Sequence, residues 1–136
     1  MPRAAFDWVV VNGGANDLGT LCGCRACDEV RDRLISEDGR TGELPTMWEA
    51  IRERTGARVV IVGYYEGVRA TRFTGCRDAL RSLDARAARF AGRTDWAVFV
   101  DAGEVVEGGM LASDGIHPGP EGSKAIARLV AGVIGK

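Results

Sequence analysis

RVVIVGY, residues 58 to 64, is a run of mostly β-branched apolar residues without polar alternation. It is too short for a typical helix, and a strand that does not alternate must bury both of its faces. AFDWVVVN, residues 5 to 12, repeats the pattern on its amino-terminal side, and DWAVFVD, residues 95 to 101, repeats it on the other. Three such runs separated by helical stretches make βαβ units, so the expected fold is a parallel sheet with right-handed crossovers.

The intervening segments fit that reading. Cys27 to Ile35 and Pro45 to Arg54 have helical character, the second with a proline in its first turn and a stop before Gly56. A turn-rich insert, SEDGRTGEL (36–44), divides them. Cys76 to Phe90 places Ala79, Leu80, Leu83, Ala87 and Phe90 close to the 3.6-residue period of a helix packed on a sheet. After the third run comes a long glycine-bearing loop, and Glu121 to Ile134 then forms a helix with Ile126, Leu129, Val130, Val133 and Ile134 on one face. Trp8, Trp48 and Trp96 could line a pocket, but Trp8 and Trp96 lie in strand patterns, so core packing is expected.

Composition bounds the function classes. The chain has 136 residues, 46% of them hydrophobic, which suits one domain (1–136) with a modest core. A formal net charge of −1 provides no field to attract nucleic acid or an anionic membrane. Most of the 18 cations are arginines scattered along polar helix faces, expected to be solvated surface. No stretch approaches the length of a membrane span, and the opening MPRAAFDW has neither the apolar core nor the cleavage site of an export signal.

In an open parallel sheet, ligands bind beyond the carboxyl ends of the strands. Two unusual clusters fall there: Gly13, Gly14, Asn16 and Asp17 after the first run, and DGIHPGPEG (114–122) before the last helix. His117 is the single histidine. Asp114, three residues earlier, is close enough in a tight loop to accept from one ring nitrogen and leave the other as a base, and Pro118 stiffens the turn. Asn16 would lie on the same rim, where an amide donor can stabilise an oxyanion. The bland alternative is that Asn16 and Asp17 cap a turn or helix.

Together the blocks are specific. Gly14-Ala15-Asn16-Asp17, followed by Asp114 to Pro118 with βαβ structure between, resembles the GxND and DxxHP blocks of the SGNH hydrolases, also called GDSL-type esterases. The resemblance implies an α/β, three-layer αβα fold with a parallel sheet, flavodoxin-like, here truncated to about three strands. It also implies His117 as general base, Asp114 as the group orienting its ring, Asn16 as an oxyanion-hole donor with Gly14 as backbone support, and Asp17 as structural. The reaction implied is acyl transfer through a serine ester, with short acyl esters or acetylated sugars as substrates and no cofactor. The family's GDS nucleophile block and a second oxyanion-hole glycine block have no match in this sequence. Ser36, Ser82, Ser113 and Ser123 are the available serines, and none lies on a strained strand-to-helix turn that would aim it. The expectation is therefore a partial domain, inactive by itself, whose strand 5–12 is an exposed edge prone to self-association. The complete version is expected to be periplasmic or secreted.

Cys22, Cys24 and Cys27 form CxCxxC, and Cys76 opens a later helix. Four cysteines allow three disulfide connectivities or one four-thiolate zinc site. Disulfides are expected if the complete protein is exported, free buried thiols otherwise. A thioredoxin-type redox role lacks the required strand-to-motif setting. A nucleotide or phosphate binder does not fit either, since NGGAND lacks GxGxxG and GPEGSK reverses the P-loop order. The remaining alternative is a noncatalytic remnant or subunit that keeps the sheet.

Overall fold

A computed structural model describes residues 5–65 and 75–135. Its strands are β1 (Trp8–Val11), β2 (Arg58–Gly63) and β3 (Ala97–Asp101). They form one parallel sheet in the order β1-β2-β3, with Val10 beside Val60 and Val60 beside Val98. The helices are α1 (Ala15–Leu21), α2 (Asp28–Leu34), α3 (Glu43–Thr55), α4 (Arg77–Gly92) and α5 (Pro120–Ile134), with 3-10 turns at Ala102–Glu104 and Gly108–Met110. The expected α/β layering is present.

The two-residue period of the strands divides the core. Val59, Ile61 and Ala97 face α1 to α4, where they meet Leu18, Leu34, Leu44, Trp48, Leu83 and Phe90. Val60, Val62, Val98 and Val100 face the other way, against Ile126, Leu129, Val130 and Val133 of α5. Val59 and Val60 are both fully buried, which is why the sequence of β2 shows no alternation. Phe90 stacks between Trp48 and Trp96, with ring centroids 5.0 and 5.6 Å away, so those two tryptophans serve the core as expected. Trp8 packs on the α5 side under the Arg58 guanidinium, 4.3 Å from the ring centroid.

Coverage is uneven. Among the described residues β1 pairs with β2 alone, and on the α5 side Val10 is 47% exposed where its neighbour Val60 is sealed. A single helix cannot roof all three strands.

Several expectations need correction. The strands are shorter than the apolar runs, because residues 5–7, Asn12, Tyr64 and 95–96 fall outside the ladders. Glu43 and Leu44, assigned above to the insert, belong to α3, and Ile134 is 39% exposed because it lies at the end of α5. The arginines are not all solvated surface. Arg86 is buried and ion-paired with Asp32 at 2.7 Å while donating to the Ile35 carbonyl at 2.9 Å. Arg89 donates to the Glu37 carbonyl and Arg93 to that of Asp38, so one face of α4 ties down the polar insert through its backbone acceptors. The largest omission is α1, a seven-residue helix with Gly19 inside it and no side-chain cap.

Candidate active site

The loop between β3 and α5 is built almost wholly from its own residues. Leu111 and Pro118 form an antiparallel bridge, and the Ala112 N–H donates to the His117 carbonyl at 2.7 Å. That closure makes Asp114 to His117 the tip of a tight hairpin. One Asp114 oxygen, Oδ1, accepts the backbone N–H groups of Ile116 and His117 at 2.9 and 3.0 Å. The other, Oδ2, lies 2.5 Å from His117 Nδ1. With Nδ1 engaged, Nε2 is the ring nitrogen presented outward, on a side chain 74% exposed. The His117 hydrogen bond, helped by the two backbone donors, holds the Asp114 carboxyl down at about 2.

Asn16 and Gly14 stand on a different element. Gly14 is the N-cap of α1 at φ 101°, a left-handed conformation that glycine alone adopts without cost. A side chain there would also strike Leu83, since an ideal Cβ lies 2.8 Å from its Cδ2. Ala15 and Leu18 are buried beneath the helix, while Asn16 is exposed in its first turn. Neither Asn16 nor Asp17 caps the helix; Gly14 does. Asp17 lies in the first turn, where the helix dipole favours a carboxylate.

Because all three strands are parallel, their carboxyl ends lie at one rim: β1 delivers α1, β2 delivers Tyr64 and Tyr65, and β3 leads to the His117 loop. The two tyrosines reach toward both clusters. The Ala15 N–H donates to Tyr64 Oη at 3.4 Å, whereas Tyr65, its phenol pushed up by burial, is raised further by the Asp114 carboxylate. The described contacts thus join Asp114 to His117 and Tyr64 to α1, with Asn16 and His117 on the same rim from separate elements.

Two residues escaped the sequence reading. Tyr64 is a half-buried phenol pushed up chiefly by burial. Asp84, on α4, is buried with both oxygens directed at the Tyr64 N–H, 3.3 and 3.0 Å away. Its signal was legible: a carboxylate one residue after Leu83 and three before Ala87 interrupts the apolar stripe of α4.

Ser82 accepts from Arg31 between α4 and α2, and Ser36 donates to Asp38 in the insert. Ser123 is in the first turn of α5, and Ser113 precedes Asp114 in the hairpin. Cys22 pairs with Cys27 and Cys24 with Cys76, so all four sulfurs are in disulfides and none is a thiolate for zinc. The bridges fasten the carboxyl end of α1 to the starts of α2 and α4. Among the described residues no helix is long and apolar enough to cross a membrane.

The sequence model of the GDSL-like Lipase/Acylhydrolase family matches residues 1–125. No curated protein matches the chain.

Proposed function

Since the chain belongs to the GDSL-like Lipase/Acylhydrolase family, we propose that it carries the base and oxyanion side of a serine ester hydrolase acting on short acyl esters or sugar O-acetyl groups. The hydrogen bond between Asp114 Oδ2 and His117 Nδ1 carries the reading. It fixes the ring, selects Nε2 as the base and stabilises the imidazolium that forms when a serine hydroxyl is deprotonated. As the serine oxygen attacks the acyl carbonyl, the Asn16 amide donates to the developing oxyanion, and Gly14 leaves the backbone free to approach. His117 then returns the proton to the leaving alcohol, and water repeats the sequence on the acyl-serine.

The serine itself comes from outside these residues. Ser36 and Ser82 are engaged around α2 and α4, and no GDS block occurs in the sequence. On this reading the chain alone turns over no ester. The two disulfides support an oxidising compartment for the complete protein.

The test has two arms. The purified chain should hydrolyse p-nitrophenyl acetate no faster than its His117→Ala variant; clear turnover above that control would overturn the inactivity. Supplying a GDS-bearing strand-helix segment from a family relative, by fusion, should restore hydrolysis. A folded fusion that stays inert would favour the noncatalytic subunit.

A further inference from the structure

Asp84 and Arg86 are the buried charged side chains among the described residues. Arg86, two residues on along α4, is neutralised by Asp32, and Arg81, three residues back, is bonded to Asp101 at 3.3 Å instead. Burying a carboxyl at a place where its helix otherwise presents Leu80, Leu83 and Ala87 sacrifices solvation that an apolar residue would not need. What the carboxyl gains is the main chain of Tyr64, whose N–H both oxygens accept.

Room for this is provided by Gly63. An ideal Cβ at that position would lie 2.9 Å from Asp84 Oδ2 and 2.6 Å from Phe99 Cζ, so a side chain at the end of β2 would force the ring and the carboxyl to shift. From Tyr64 the contact continues outward. The first N–H groups of a helix lack intrahelical partners, and Gly14 has no side chain with which to cap α1. Tyr64 Oη takes that part by accepting from Ala15, the residue between Gly14 and Asn16. A seven-residue helix is marginal without tertiary support, so its amino end depends on this contact as its carboxyl end depends on the disulfides.

We propose that Asp84 is a positioning residue: through the main chain and phenol of Tyr64 it sets the first turn of α1, and with it Gly14 and Asn16. The proposal rests on the oxyanion role assigned to Asn16 above. The groups facing the carboxyl are Tyr64 just past β2, Asp101 from β3 and Arg81 from its own helix, and Asp17 of α1 acts on the Tyr64 phenol. Burial pushes Asp84 up to about 7, the Tyr64 N–H bond opposing and the Asp101 charge reinforcing. An ionised carboxylate accepts a stronger bond than a neutral acid, so the hold on Tyr64 tightens as pH rises through that value.

Amide NMR of the intact, oxidised chain tests the linkage without requiring catalysis. The backbone N–H resonances of Tyr64 and Ala15 and the Asn16 side-chain amide should titrate together with a midpoint near 7. They should do so equally in a His117→Gln background, which removes the imidazole as a source of the shifts. Asp84→Asn keeps an acceptor for the Tyr64 N–H and should abolish all three titrations. Tyr64→Phe should leave the residue-64 amide titrating, silence Ala15 and Asn16, and speed Ala15 exchange by about five- to ten-fold, the loss of one ordinary hydrogen bond. Flat Ala15 and Asn16 resonances in the wild type, or titrations there that persist in either variant, would overturn the proposal. If Asp84→Asn does not fold, Tyr64→Phe decides, because it leaves the carboxyl in place. Failure of ester hydrolysis in the fusion would remove the oxyanion role while leaving these resonances unaltered.

Discussion

The His117 hairpin and the Asn16 helix occupy the same rim but are held in opposite ways. Eight residues, Leu111 to Pro118, contain the bridge, the backbone donors and the carboxylate that aim the imidazole. The first turn of α1 is held instead by Tyr64, 49 residues from Ala15, and its far end by a disulfide that spans 52 residues. A locally built group survives damage elsewhere in the fold. A remotely built one inherits every weakness of the scaffold between its supports.

The largest effects should come from the chemistry itself. In an active fusion, His117→Ala should cost roughly 10³-fold or more in kcat/KM, and Asn16→Ala roughly 10²- to 10³-fold. Steady-state kinetics on one ester measures both, and a His117→Ala loss under ten-fold would remove it as the base.

Next in size is the scaffold. Replacing Cys24 and Cys76 by serine should destabilise the chain by about 4 kcal/mol, the loop-entropy value for a bridge of that span, as read by denaturant unfolding. The same variant should shift the Asn16 resonances while leaving those of Asp114 and His117 in place. If both regions move equally, the contrast between local and remote support is wrong.

A smaller effect separates the regions by pH. Asp84 is raised to about 7 from an ordinary value near 3.8, so the native state holds its proton over that interval. Its contribution to stability is complete below the lower value and lost as pH rises through the upper one. Asparagine does not titrate, so Asp84→Asn should gain in melting temperature relative to wild type between pH 5 and pH 8. A constant difference would deny the shifted carboxyl. Asp114 has the opposite sign: held at about 2, it contributes above its ordinary value and loses that contribution as pH falls through the lower one. Exposed as it is, it should make the smallest change, a slight melting difference from Asp114→Asn that is steady above pH 5 and disappears on acidification.

The same contrast explains what the sequence alone discloses. The three strands were legible as unbroken apolar runs, sealed on both faces in β2 and left open at Val10 in β1, and α4 because Leu80, Leu83, Ala87 and Phe90 keep the helical period. Asp114 and His117 were legible because three residues in a tight turn leave little choice of geometry. Helix α1 was not, since Gly14 caps it without a side chain and Gly19 lowers its propensity. Arg86, Arg89 and Arg93 looked like solvated surface because their partners, Asp32 on α2 and the backbone carbonyls of Ile35, Glu37 and Asp38, lie more than 50 residues earlier. Tyr64 and Asp84 belong to that class too, with a polar break in an apolar stripe as the sole written clue.

The hydrogen atom that stands where Gly63 would carry a methyl group has consequences for how this sequence can drift. Alanine there collides with a carboxylate and an aromatic ring at once. A lineage that acquires it must make room at both residue 84 and residue 99. Exchange at position 63 therefore meets a barrier that exchange at position 84 alone neither meets nor removes, because the Phe99 ring still stands 2.6 Å from the added carbon.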